Sequence, residues 1–139
     1  MIALVPQEQL DGQLSRVRNQ FYRVMQKTGS AVDWEYVESL IRDGSAFLWL
    51  DADQPDIGFV ILRPMLEPHT KKPYLEVVMA YHEGSDGLAI YEPHICDIAV
   101  SMGAHFIEFE SRRKAFLRMS QRMGYEPHAI IYRKDIDHG

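Results

Sequence analysis

One stretch of the sequence restricts the fold more than any other. Tyr74–Ala80 reads as a strand. Apolar residues at Ile90, Ile95, Ile98, Ala99 and Met102 then read as a helix stopped by Gly103, and Phe106–Phe109 alternates apolar and polar as a second strand. Strand, helix and strand in succession require a parallel pair joined by a right-handed crossover, because no tight turn reaches a parallel neighbour. Pro93 falls in the first turn of this helix or marks a kink.

The segments on either side add strands and helices to that unit. Ile2–Val5 is a short β-type opening closed by Pro6. In Glu8–Gln26 the apolar residues Leu10, Leu14, Val17, Phe21, Val24 and Met25 recur at steps of three and four, which gives one helical face. Thr28-Gly29-Ser30 ends that helix. Asp33 suits the N-cap of a second helix with Tyr36, Val37, Leu40 and Ile41 on its inner side, and Asp43-Gly44 stops it. The period then changes. Ala46–Leu50 and Ile57–Leu62 are compact runs rich in Phe, Trp, Ile and Val, separated by polar, proline-containing 51–56, so they form a hairpin. Arg112–Met123 is helical and stopped by Gly124, and His128–Tyr132 is the last strand. The expected order is β-α-α-β-β-β-α-β-α-β. The fold class is α/β (α+β), with a mixed central sheet of about six strands and helices on both faces, in a single domain spanning 1–139. Phe21, Phe47, Trp49 and Phe59 are expected as core aromatics, one or two of them at an interface instead.

Composition narrows the function classes. The net charge of −5 gives no general attraction to nucleic acid or anionic lipid, so nucleic acid is not expected as the main partner. The lone cysteine, Cys96, excludes an internal disulfide. No stretch approaches the roughly 18 apolar residues of a membrane span, and the opening MIALVPQEQL lacks the basic and apolar regions of a signal peptide. The simplest expected location is a cytoplasm, bacterial or that of an infected cell. His94 and Cys96 sit two apart on a helix and diverge by about 200°, so a shared metal is not expected.

The second half resembles a known family. Ala115-Phe-Leu-Arg-Met-Ser-Gln-Arg-Met-Gly124-Tyr125, followed by Ala129-Ile-Ile-Tyr132-Arg133-Lys134, is similar to the closing helix and strand of GNAT (acetyl-CoA-dependent N-acyltransferase) proteins. Ile98–Glu108 matches that family's helix, Ala, Gly, strand passage. The likeness covers roughly Ala46–Lys134. Arg42-Asp43-Gly44-Ser45-Ala46-Phe47-Leu48-Trp49-Leu50 and Glu110-Ser111-Arg112-Arg113-Lys114-Ala115-Phe116 further resemble small GNAT-like proteins of tailed bacteriophages and prophages.

The resemblance assigns roles residue by residue. The family holds the acyl-CoA pyrophosphate on the backbone N–H groups of a turn, Q/R-x-x-G-x-G/A, at a helix start, where those groups lack partners. The corresponding positions run from Tyr81 to Gly87, with Gly84, Ser85, Asp86 and Gly87 at the turn. Tyr81 replaces the Gln or Arg, and Asp86 the second small residue. Glu83 and Asp86 would put two carboxylates beside a pyrophosphate, which repels it. A helix cap at Asp86 and a glycine turn account for the same residues. The family's acidic tyrosine falls at Ser120, a far weaker acid; Tyr125 and Tyr132 are near it in sequence. A general base would be sought at Glu76 or His82, which also fit a solvent-facing strand and a loop. Departure at both diagnostic positions favours a non-catalytic phage or prophage protein, a virion or assembly component that binds other phage proteins or a second copy. The alternative is an active N-acetyltransferase acting on a small amine or a host protein, with acetyl-CoA as its cofactor. Partner contacts are expected from the basic helix, at Arg112, Arg113, Arg118 and Arg122, and from Lys71 and Lys72, held between prolines in the loop Glu67–Pro73.

Overall fold

The structure is a computed structural model, and it describes residues 1–28, 32–111, 118 and 121–137. The chain opens with strand β1 (Ile2–Leu4), a 3-10 turn (Gln7–Gly12) and helices α1 (Leu14–Thr28) and α2 (Trp34–Arg42). Strands β2 (Phe47–Asp51), β3 (Gly58–Leu66) and β4 (Pro73–His82) follow, then helix α3 (Gly87–Ser101) and strand β5 (Ile107–Glu108).

The strands form one sheet in sequence order. β1, β2, β3 and β4 pair antiparallel, and β4 pairs β5 in parallel with Leu75 opposite Ile107 and Glu76 opposite Glu108. The crossover read from the sequence is therefore present, with α3 as its helix.

Two apolar layers sandwich the sheet. On one face, Leu14, Val17 and Phe21 of α1 and Trp34, Val37, Leu40 and Ile41 of α2 pack on Leu48, Leu50, Phe59, Ile61 and Met79. On the other, Leu88, Tyr91, Ile95 and Ala99 of α3, spaced three and four apart, pack on Val60, Leu62, Leu75 and Val77. Asp33 caps α2 by accepting from the Glu35 N–H at 3.1 Å.

Several boundaries and faces differ from the sequence reading. The first helix starts late: Gln7–Gly12 is 3-10, and α1 proper begins at Leu14. Tyr36 and Ile90 face solvent at 53% and 46% exposure, and Trp34 and Tyr91 take the inner positions. Pro93 lies beyond the first turn of α3, inside the helix. Phe21 and Phe59 are core, whereas Phe47 and Trp49 line an apolar hollow of about 300 Å³ with Leu4, Leu62, Ile98 and Met102. The largest difference concerns the last strand. The sheet has five strands among the described residues, and His128–Tyr132 is not one of them; Ile130, Ile131 and Tyr132 are exposed. β5 is only two residues long and offers little ladder to template a further strand. Of the helix read at 112–123, Arg118 and residues 121–122 are helical, while 112–117, 119 and 120 lie outside the described residues.

Candidate functional site: the cleft between β4 and β5

The sheet opens where the parallel pair of β4 and β5 comes apart. β4 continues six residues past Glu76, but its ladder with β5 ends there. Within β4 the register to β3 shifts: Ile61 faces Met79 while Leu62 faces Val77, which leaves Val78 as a bulge. A bulge bends and twists its strand, and this one lies next to the point of separation. Glu76, Val78 and His82 of β4, the turn 83–87, Glu92 and Cys96 of α3, Glu108 of β5 and Tyr125 border a wide open region that Arg63, Lys72 and Arg133 also line.

The start of α3 forms the cleft's far end. Gly84 has φ +87°, a conformation that favours glycine. Gly87 is required by packing: a Cβ there would stand 2.5 Å from the Ala80 carbonyl carbon and the Tyr81 nitrogen of β4. Asp86 is the N-cap, and its carboxylate accepts from the Ala89 N–H at 3.0 Å. The anion that this helix end favours is thus a side chain of the chain itself.

Glu76 is half-buried in the cleft. Loss of water raises its carboxyl above the ordinary value; Arg63, opposite it on β3, pulls the other way, and Glu110 and Glu108 add to the rise. His82 stacks obliquely on Tyr91, ring centres 5.9 Å apart, with a buried Nδ1 that has no partner. Tyr125 packs edge-on against Phe109 at 5.1 Å. Its hydroxyl lies buried beside Glu92 and Cys96 without a well-formed hydrogen bond, and burial followed by the Glu92 charge pushes its pKa up. The Cys96 thiol donates to Glu92 Oε1 at 2.9 Å. Burial first, then that bond, lifts it to about 11, so it stays protonated near neutrality and makes a poor nucleophile.

Glu76, His82, Tyr125 and the turn Gly84–Gly87 all border this open region. Ser120, Arg112 and Arg113 lie outside the described residues. Arg118, Arg122, Lys71 and Lys72 are exposed. Side-chain hydrogen bonds tie the backbone of the Lys loop. Glu67 accepts from the N–H groups of His69 and Thr70 and from the Thr70 hydroxyl, and Lys71 has φ +59°. Glu92, Cys96, Glu108 and Glu110 were missed as parts of this region. One signal for them was visible in the sequence: between Pro73 and Ser111 there is no lysine or arginine, while Glu76, Glu83, Asp86, Glu92, Asp97, Glu108 and Glu110 are all acidic. His94 accepts from the Ile2 N–H at 2.9 Å. No group of His, Cys, Asp and Glu among the described residues is arranged to hold a metal, and none of their helices is long and apolar enough to cross a membrane.

With this geometry in view, solved structures supply the comparison. A ribosomal-protein-alanine N-acetyltransferase from Brucella melitensis matches with TM-score 0.70 at 17% identity, over 98% of this chain and 99% of that one. A Trypanosoma brucei acetyltransferase matches with TM-score 0.69 at 12% identity, over 98% and 99%. A possible acetyltransferase from Clostridium difficile 630 matches with TM-score 0.69 at 12% identity, over 99% and 98%. The chain has the GNAT fold. No family model matches its sequence, and no curated protein sequence does. At these identities the likeness establishes the GNAT architecture and not an activity.

The fold implies acetyl-CoA, and its phosphates would meet the start of α3. The residues there do not fit them. The Asp86 carboxylate already accepts from the helix end, Glu83 is three residues before it in sequence, and residues 73–108 contain no lysine or arginine.

Proposed function

We propose that this GNAT-fold chain does not transfer acetyl groups and acts through contacts with other proteins, as a component of a bacteriophage particle or of its assembly. The observation that carries the non-catalytic part is the Asp86 cap. A carboxylate bonded to the Ala89 N–H holds the place where the fold otherwise accepts pyrophosphate. The phage assignment rests on the likeness of 42–50 and 110–116 to phage GNAT-like proteins. Contacts are assigned to Lys71 and Lys72, displayed on a loop whose backbone is tied by Glu67, and to Arg118 and Arg122, one helical turn apart.

The test has two arms. Release of free CoA from acetyl-CoA is followed with a panel of amines and peptide N-termini, and no rate above the uncatalysed one is expected. In phage-producing cells, purified particles are assayed for the chain, and joint change of Lys71, Lys72, Arg118 and Arg122 to Glu is expected to remove it. Turnover in the first arm, or particle association untouched by the charge reversal, contradicts the proposal.

One observation favours the second reading, an active N-acetyltransferase on a small amine or a host protein. Glu76 is a half-buried carboxyl with a raised pKa in the cleft, the kind of group that takes a proton from an amine. Glu76→Gln would then abolish any turnover found in the first arm.

A further inference from the structure

Helices α1 and α3 lie on opposite faces of the sheet, and their outward sides have opposite character. α1 carries Arg16, Arg18, Arg23 and Lys27 and no acidic residue. Arg16 donates to Gln13 and to the Pro55 carbonyl. Arg18, Arg23 and Lys27 are exposed and have no acidic partner among the described residues. Tyr22, 48% exposed, falls between Arg18 and Arg23 around the outward side of the helix.

α3 is apolar outside as well as inside. Its inner residues Leu88, Tyr91, Ile95 and Ala99 are buried, yet Ile90 and Val100 are 46% and 78% exposed, with Ala89 and Pro93 exposed on the same side. A surface helix ordinarily turns polar residues outward, and a helix that is apolar all round has its outer side covered. The charged residue of this outward stripe is Asp97, and residues 73–111 around it contain no lysine or arginine.

The two stripes match in length and oppose in charge. Ser15–Gln26 and Ala89–Val100 each run about 16 Å along a helix at 1.5 Å per residue. Laying Ile90, Pro93 and Val100 against Tyr22 and the stems of Arg18 and Arg23 takes apolar surface out of water. Charge then selects the pairing. An exposed ion pair adds only about 1 kcal/mol or less, but two α3 stripes laid together would bring Asp97 towards Asp97, and two α1 stripes would bring arginines together. Like stripes repel and unlike stripes attract.

Placement decides the form of the assembly. When α1 of one copy meets α3 of the next, the first copy keeps a free α3 and the second a free α1, each on the far side of its sheet. Such a heterologous contact does not close at two chains and continues into a ring or a filament.

We propose that copies of this chain associate head to tail, the outward side of α1 in one docking on the outward side of α3 in the next. The inference concerns self-association and stands whether or not the chain enters a particle or transfers acetyl groups.

Sedimentation over a concentration series at low ionic strength tests it. The natural chain is expected to rise past twice the chain mass. One variant carries Arg18→Glu with Arg23→Glu, and a second carries Asp97→Lys, both confirmed as folded by far-ultraviolet circular dichroism. Each alone is expected at the single mass. Mixed in equal amounts, the two are expected to associate again, because each reversed stripe then meets one of opposite charge. A natural chain that stays monomeric throughout the series, or that stops at two chains, overturns the proposal. Variants that associate as the natural chain does overturn it as well, and so does a mixture of the folded variants that remains at the single mass.

Discussion

Tyr91 shows how a few side chains tie separate parts of this molecule together. Its hydroxyl donates to Asp51 Oδ2 at 2.9 Å, which fastens α3 to the β2–β3 turn, and it occupies the space that any side chain at Gly58 would need. Burial alone would raise the Asp51 carboxyl; the Gln54 N–H, the Tyr91 hydroxyl and the Asp53 N–H outweigh it and lower the pKa below 3.8. A depressed carboxylate stabilises the fold above its unfolded pKa, and that contribution is lost as pH falls through the folded value. Tyr91→Phe should therefore cost about 1–2 kcal/mol in urea unfolding at neutral pH. Acid unfolding of the variant should also begin at higher pH, because Asp51 loses one of its three donors; an unchanged acid transition would refute this role. Glu67 gives a companion prediction. Its bonds to the Thr70 hydroxyl, the Thr70 N–H and the His69 N–H take its pKa from 4.5 to about 2. The loop should keep its shape below pH 4 and loosen only as pH approaches 2, as side-chain NMR titration of Glu67 will read. Neither role was visible in the sequence, since both depend on partners brought together by turns whose geometry composition does not encode.

At the scale of elements, the crossover was legible because its apolar period and its stop at Gly103 are local signals. Faces were legible only in part. Tyr36 and Ile90 fit the helical period as well as Trp34 and Tyr91 do, and tertiary packing chose between them. The final strand was not legible, because strand formation depends on a partner edge, and β5 supplies two residues. The α3 start allows two contrasting substitutions. Gly87→Ala puts a Cβ against the β4 backbone and should destabilise by about 1–3 kcal/mol, measured by thermal or urea unfolding. Asp86→Ala removes the cap and should cost about 1 kcal/mol, whereas Asp86→Gly should cost only a few tenths. Equal losses for both Asp86 variants would show that its carboxylate does not hold the helix end.

Taken whole, the molecule has the GNAT fold, and the start of its helix α3 is capped by the carboxylate of Asp86. The mixed sheet and its parallel crossover could be read from the sequence, because apolar periodicity is local. What the cleft's walls contribute could not be read by motif. Glu92, Cys96 and Glu108 meet there through the crossover, and only the missing lysines and arginines of 73–111 hint at their common character. The central claim is that the α3 start, closed by Asp86, rejects the cofactor's phosphates. Titration calorimetry with acetyl-CoA, run on the natural chain and on Asp86→Gly, tests it most directly. The account predicts no binding heat for the natural chain and a measurable gain for the glycine variant; micromolar binding by the natural chain, undiminished by the carboxylate, would contradict it.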